Sequence, residues 1–422
     1  MHAMMLAAPP LLMPFGYWLA LVAVLMWTTM TGWRRVPGVL TLTWQRNGWL
    51  LAVLLGFGVV ELLMGVWHQE LGRALPMAAA AWGAALLLLT LGRRPPVLAA
   101  WWAGLAVAGL GAGGWALYQR VFEAAARASG HAPLHAILFG NLSLLAGLLC
   151  LAGIGWAWGR PHRGTWVTLL VAGAVGGVLS SVLSGTRGGW LALPLALVLF
   201  YRGYLYRWQP IWRVGILAGV LAAMVAAYAV PQSGVQPRVD AAVSEGQDFL
   251  SGEVRGSVGL RLEMMRGAGL LILERPWLGH GHEGYRPGMQ RLVEEGRLAA
   301  GVEHFWHAHN ELLDAWVRRG LPGLAMVLAL YLMPLWLFAG RLRASDPVHR
   351  SLAVAGMLLP VTFMDFGLSY PFFAYPVGML VYGSWLTAIW LLIPVAQPHR
   401  IERKSNVNRS MGPAGRPDCL GC

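Results

Sequence analysis

Long apolar runs recur along the chain, separated by short polar connections. Eleven of them reach or approach the ~20 residues that a helix needs to cross hydrocarbon: 11–30, 48–67, 75–91, 97–118, 135–158, 166–184, 190–206, 211–230, 321–340, 351–368 and 372–396. The third is the weakest. Within each run the apolar positions are continuous rather than alternating, which predicts helices and speaks against an outer-membrane barrel. The N-terminus has no basic stretch and no clear cleavage site, so the first run reads as a retained helix and not a signal peptide.

Composition agrees. Of 422 residues, 57% are hydrophobic and only 12% charged, about half the charged share of a soluble domain. That excludes a soluble globular protein and a disordered one. The formal charge of +13 comes from 32 basic and 19 acidic residues, and Lys404 is the one lysine. Much of this charge sits in short loops, where it orients helices, so nucleic acid is a poor explanation for it. Cys150 lies inside an apolar run, and Cys419 and Cys422 stand in the tail. A CxxC with no second pair reads as a tail end and not a metal site, and no disulfide framework follows.

Arginine placement sets the orientation. Alternate connections carry Arg34, Arg35 and Arg46; Arg93 and Arg94; Arg160 and Arg163; Arg202, Arg207 and Arg213; Arg341, Arg343 and Arg350; and the tail's Arg400, Arg403, Lys404, Arg409 and Arg416. The other short connections hold only Arg73, Arg120, Arg127 and Arg187. The positive-inside rule then makes the first set and the C-terminus cytoplasmic. Eleven spans put the N-terminus outside; a twelfth would reverse it.

One connection, residues 231–320, is long and lies on the outer side. It holds ten arginines, twelve acids and five histidines. A bacterial inner membrane with a periplasmic loop is the natural reading, and loops of this length are usually functional or disordered. Helical stretches and aromatic anchors make this one an ordered lid at the membrane surface. The expected organisation is an N-terminal transmembrane bundle (1–230), a periplasmic loop domain with the catalytic residues (231–320), C-terminal transmembrane helices (321–396) and a disordered basic cytoplasmic tail (397–422).

Three sites on the outer face carry candidate chemistry. The first is the turn Ser184-Gly-Thr-Arg187-Gly-Gly-Trp190. Its glycines allow close approach of a ligand, and a guanidinium there suits an anionic group; an interfacial arginine snorkelling to lipid phosphate reads equally well. The second is Gly259-Leu-Arg261-Leu-Glu-Met-Met-Arg266-Gly, followed by Glu274-Arg-Pro276-Trp-Leu-Gly279-His-Gly281. Its apolar helical stretch is expected on or in the membrane surface. Arg261 and Arg266, five residues apart, cannot face one ligand from a helix. The third is His304-Phe-Trp306-His307-Ala-His309-Asn310, with Glu311, Asp314 and Gly320-Leu-Pro-Gly323 beyond. Five histidines in one loop invite a metal, yet no Cys and no HExxH helix accompanies them. A single histidine acting as a base near pH 7 is the alternative. Glu61 and Asp365 fall inside predicted spans, where charges pair or line a cavity. Asp365 could orient an arginine or a histidine, and Glu61 reads as structural.

Together these segments resemble the O-antigen ligase and polymerase superfamily of bacterial envelope membrane proteins. The ligase pattern is His, then Asn, Ser or Gln, nine residues, Gly, two residues, Gly, then Thr or Ser. Here it reads His309-Asn310, nine residues, Gly320-Leu-Pro-Gly323, then Leu324, which departs at the last position. The Thr-Arg187-Gly-Gly turn and the Arg261…Pro276-x-x-Gly279-x-Gly281 stretch are similar to the family's, in the same order. The resemblance is strongest over 184–323, and the family usually has twelve spans.

The resemblance implies an all-α polytopic membrane protein with 11–12 transmembrane helices, similar to the GT-C integral-membrane glycosyltransferases. It implies transfer of a glycan from undecaprenyl pyrophosphate to a sugar hydroxyl of lipid A–core in lipopolysaccharide biosynthesis, with inversion, no metal, no nucleotide sugar and no cofactor. Arg187 and Arg261 would clamp the pyrophosphate in place of a divalent ion, with Arg266 and Arg286 as further candidates. His309 would deprotonate the acceptor. Asn310, Glu311 or Asp314 could fix its tautomer, and Trp306 and Phe305 could stack on sugar or anchor in the interface. Membrane lipids are the other expected partners. The alternatives are an O-antigen polymerase or O-oligosaccharyltransferase of the same superfamily, and, in another class, a transporter or flippase for an anionic lipid with Glu61 and Asp365 as coupling groups.

Overall fold

The computed structural model describes residues 2–30, 39–92, 96–186, 188–229 and 236–393. Within these the protein is helical and has no strand, the arrangement that leaves no backbone group unsatisfied in lipid. Seven described helices are long and apolar enough to cross a membrane, and three shorter apolar ones cover 16–28, 210–222 and 376–392. The protein is therefore an all-α, multi-pass membrane protein.

Helices occupy all eleven predicted runs. They are α3 (Gly16–Met30), α4 (Val39–Trp67), α5 (Leu71–Leu91), α6 (Leu98–Val121), α7 (Ala136–Ala157), α8 (Arg163–Leu183), α9 (Ala192–Gly203), α10 (Pro210–Ala229), α14 (Glu311–Ala339), α15 (Pro347–Gly367) and α16 (Pro376–Leu392). The first run differs from expectation. Short helices α1 (His2–Ala7) and α2 (Pro9–Leu12) precede α3, and the chain turns back at residues 13–15. Pro9 and Pro10 suit a fresh helix start and not a continuing helix. Packing holds α1 inside the bundle: Ala3, Leu6 and Ala7 are buried, and Trp385 Nε1 donates to the Leu6 carbonyl at 3.0 Å.

Helices α7 and α16 are apolar on all sides and buried on nearly all of them, as befits the centre of a bundle. Small residues let their neighbours approach. A Cβ on Gly109 of α6 would lie 2.1 Å from the Gly173 carbonyl of α8, so the two backbones touch there. Large apolar side chains such as Leu63, Val175 and Leu195 point outward, where acyl chains would cover them.

The long connection folds into α11 (Gln236–Leu250), α12 (Gly256–Glu274) and α13 (Gly281–Glu294), and ends in the first turns of α14. It has its own apolar core, built on Met264, Leu271, Tyr285, Met289 and Val317. Met264, Ala268, Leu271 and Ile272 of α12 pack into this core, which accounts for part of its hydrophobic stretch, while Leu273 remains exposed.

The helix of the ninth predicted run, 321–340, begins earlier than expected, at Glu311, and α14 contains a break. Gly320 has φ 63° and ψ −162°, a conformation essentially restricted to glycine, and Pro322 follows it. Above the break, 311–319 belongs to the loop domain; below it, 321–339 enters the bundle. The turn 275–280 wraps the break. Leu321 N–H and Trp316 Nε1–H donate to the Pro276 carbonyl at 3.0 and 2.9 Å, and His280 N–H to that of Val317 at 2.7 Å. A Cβ on Gly320 would sit 2.0 Å from the Trp277 carbonyl, and one on Gly279 2.6 Å from Arg318 backbone. The Pro-x-x-Gly and Gly-x-x-Gly spacings are thus two halves of one backbone contact.

The α4–α5 hairpin ties this assembly to the bundle. His68 Nε2 donates to the Leu278 carbonyl at 2.9 Å, and the Glu70 carboxylate accepts from the N–H groups of His282 and Glu283 at 2.5 and 3.0 Å, capping α13. Gly320→Ala should destabilise the protein by about 1–3 kcal/mol for the backbone conformation alone, with the contact at Trp277 adding to it. Thermal unfolding in detergent should show a midpoint several degrees lower; an unchanged midpoint would contradict the packing described.

Candidate functional site

Asn310 N-caps α14, its Oδ1 accepting from Leu312 and Leu313 N–H at 3.1 Å each. The preceding His309 takes φ 53°, a strained value for a residue with a Cβ. The side chain is 9% exposed. Nδ1 lies 3.1 Å from the Ser369 carbonyl, in the turn after α15. A carbonyl can only accept, so Nδ1 carries the proton and Nε2 presents a lone pair. Nε2 has no hydrogen-bond partner among the described residues. Burial lowers the His309 pKa, the Ser369 carbonyl opposes this, and the positive charge of Arg261 adds to the lowering. The imidazole is neutral near pH 7, in the tautomer of a general base.

A wall of rings stands beside it. The His307 ring is 4.2 Å from that of His309 and 4.7 Å from that of Tyr370. Burial, with a neighbouring His309, pushes His307 down to about 3, so it stays neutral. Ile137 N–H donates to His135 Nδ1 at 3.3 Å, which leaves Nε2–H of His135 to donate to the Tyr370 hydroxyl at 2.9 Å. Tyr370 stacks on Tyr375 at 5.6 Å. His135 and the Ser369–Tyr370 turn come from segments far apart in the chain.

The predicted arginines distribute as follows. Arg187 lies outside the described residues, but its neighbours locate the turn: a Cβ on Gly188 would be 2.3 Å from Ser369 Oγ. The turn therefore abuts the residue that holds His309. Arg261 acts on His309 electrostatically. Arg286 donates to the Glu303 carbonyl at 3.0 Å and stands over the Trp306 ring at 4.6 Å. Arg266 sits apart, 3.3 Å from Glu263, whose carboxylate also accepts from Ala299 N–H at 2.9 Å.

Two arginines that sequence reasoning passed over dominate the interior. Arg319 and Glu61, each 1% exposed, form a buried ion pair. Arg318 lies 3.1 Å from Asp314, donates to the Trp306 carbonyl, and gives an N–H to His282 Nδ1 at 3.3 Å. His282 Nε2 faces the second oxygen of Glu61 at 3.3 Å. One chain of charges and hydrogen bonds thus joins α4, α13, α14 and the Trp306 loop. A signal for it did exist, since Glu61 in a span requires a cation.

Asn310 proves to be a helix cap and not a partner of the imidazole. Glu311 accepts from Phe373 N–H at 2.9 Å and Asp314 from Ala308 N–H at 3.2 Å. Asp365 accepts from Ala192 N–H. The tautomer of His309 is set by a main-chain carbonyl, which residue type cannot reveal. His280 Nε2 donates to the Leu271 carbonyl at 2.8 Å. Among the described residues, no three His, Cys, Asp or Glu side chains converge as a metal site would require.

Two cavities flank the site. One, of about 450 Å³, lies between α5, the start of α13, Trp306, Arg318 and Tyr375. The other, of about 360 Å³, is an apolar groove of leucines with Asn310, Glu311 and Asp365 at its polar end.

Residues 172–328 match the family model described as O-Antigen ligase. Over that stretch the chain is similar to the O-antigen ligase family. The match takes in the Arg187 turn, α12, the ring wall's His307 and His309, and the α14 break. An uncharacterized protein of Haemophilus influenzae is 29% identical over 211 residues, 49% of this chain and 52% of the relative. The chain thus spans about half the length of the curated relative that it matches.

Removing one member of the buried pair leaves an uncompensated charge, at a cost of about 3–5 kcal/mol. Arg319→Leu and Glu61→Leu should each lower thermal stability sharply, and the double Leu variant should recover much of the loss. A loss in the double variant equal to the sum of the two single losses would refute coupling between the two.

Proposed function

We propose that this protein is an O-antigen ligase of the bacterial inner membrane, with its active site facing the periplasm. It moves a glycan from undecaprenyl pyrophosphate to a sugar hydroxyl of lipid A–core. The observation that carries the reading is His309, buried and neutral, with Nδ1–H on the Ser369 carbonyl, Nε2 without a hydrogen-bond partner among the described residues, and the charge of Arg261 alongside. The family match over 172–328 supports it.

In this reading the acceptor hydroxyl gives its proton to His309 Nε2 as its oxygen bonds to the anomeric carbon. The bond from that carbon to the pyrophosphate oxygen breaks on the opposite face, so configuration inverts. The electron pair leaves with undecaprenyl pyrophosphate. Arg187 and Arg261 stabilise the growing negative charge, as a divalent ion does elsewhere, and the burial around His309 strengthens that interaction. Arg286, held by the Glu303 carbonyl and the Trp306 ring, is a further candidate. Arg266, beside Glu263, serves the loop domain more than the ligand. Pyrophosphate leaves readily, so no strong general acid is required. The apolar groove between α9, α14 and α15 suits a lipid chain. Glu61, engaged by Arg319 and His282, is poorly placed to serve as the coupling group of a transporter.

The test is transfer by purified protein from undecaprenyl-pyrophosphate glycan to rough lipopolysaccharide, read on a gel, with a second lipid-linked glycan and a pilin-like protein as alternative acceptors. Product on lipid A–core supports the ligase; product on either alternative would reassign it to a polymerase or an O-oligosaccharyltransferase. His309→Ala should lower the rate by about 10²–10⁴-fold, the usual contribution of a general base, and leave the folded protein intact. Arg261→Ala should lose more activity than Arg261→Lys, which keeps the charge but not the bidentate geometry. EDTA should leave the rate unchanged, and a loss with chelator would revive the metal.

A further inference from the structure

We infer that the 450 Å³ cavity beneath Trp306 is a saccharide subsite, which holds a sugar unit of a glycan substrate away from the reacting one. The inference rests on the glycan-transfer reading above and adds a location, a ligand class and a set of residues to it. The volume falls within the ~300–1,000 Å³ of small-molecule sites, and three elements close the walls: α5 through Gly72 and Arg73, α13 through His282 and Glu283, and the Trp306 and Tyr375 segments.

The chemistry of the walls favours a neutral polyhydroxyl ligand over a phosphate. Each cation there is already engaged. Arg318 serves Asp314, the Trp306 carbonyl and His282, and Arg73 stands 3.4 Å from Glu283 at the exposed rim. A guanidinium paired with a carboxylate offers donors and acceptors side by side, which matches vicinal hydroxyls better than it matches an anion. Pro76 has no N–H for the carbonyl of Gly72, one turn earlier, which leaves a further acceptor at the wall. Two aromatic groups complete the set: Trp306, 54% exposed despite the Arg286 guanidinium over its ring, and Tyr375. Flat apolar rings with sparse polar groups are the makeup of such pockets.

Distance from the base fixes which sugar is held. Tyr375 stacks on Tyr370 at 5.6 Å, and Tyr370 lies 6.0 Å from the His309 ring. Two ring layers therefore separate the cavity from Nε2, so its occupant is not the sugar that reacts. Either the acceptor's core oligosaccharide or the donor's glycan could supply it.

Gly72 provides the test, since it lines the cavity and a Cβ built there meets no atom within 4 Å. Full-length protein in nanodiscs would be titrated by calorimetry with free core oligosaccharide and, separately, with delipidated O-glycan. The KM for each lipid-linked substrate would be measured beside it. One oligosaccharide should bind wild type, and Gly72→Trp should weaken that binding at least tenfold. The KM of the matching substrate should rise by a similar factor, with kcat changed less than threefold. Arg73→Ala, at the exposed rim, should give a smaller rise of about threefold and serves if Gly72→Trp does not fold. Core oligosaccharide affected alone assigns the cavity to the acceptor, and O-glycan alone to the donor. Unchanged binding and KM in both variants, or no binding to wild type, would overturn the subsite while leaving measured transfer untouched. Binding blocked by Gly72→Trp in a protein that transfers nothing would keep the subsite and sink the ligase reading.

Discussion

An arginine can be held inside an apolar bundle only beside a fixed negative charge, and Arg319 and Glu61 meet that condition. Neither is stable there alone, because desolvation of a single charge outweighs any packing it gains. Their pairing pins the first turns of α14 to α4. Through His282 and Arg318 the same network reaches α13 and the Trp306 loop. The loop domain is polar and the bundle is not, so a few directional contacts, and not a broad apolar interface, must set how they meet. The Gly320 break completes the arrangement by letting one helix serve both parts.

His309 depends on that arrangement. It stands two residues before the first turn of α14, in a strained backbone conformation, and its ring is oriented by the Ser369 carbonyl from the turn after α15. Burial and the charge of Arg261 both disfavour its protonation. The same field that would attract an anionic leaving group thus keeps the neighbouring imidazole neutral and able to accept a proton. In the proposed reaction, electrostatic stabilisation and base strength would be set by one placement of charge.

Much of the fold was legible in the sequence. Apolar length located the seven described helices that are long and apolar enough to cross a membrane, since hydrocarbon thickness imposes it. The Gly and Pro positions near residues 276–281 and 320–323 marked where backbone had to approach backbone. What remained hidden was tertiary. Arg318 and Arg319 looked like two more basic loop residues until Glu61, over 250 residues earlier, was seen to face Arg319. His135 and Tyr370 carry no motif, and their relation to His307 arises only because α7 and the turn after α15 converge. The N-terminal break escaped notice because hydropathy records apolarity and not chain reversal.

The claim that His309 is a neutral base tuned by burial is tested most directly by the pH dependence of kcat/KM for glycan transfer. A base must be unprotonated, so activity should be level from pH 7 to 8 and fall only as the pH drops through the lowered imidazole pKa, below the ordinary value of about 6.5. The acid limb should shift upward in Arg261→Gln, where the neighbouring positive charge is gone. An acid limb at or above 6.5 in the wild type, or one that Arg261→Gln leaves in place, would contradict the account.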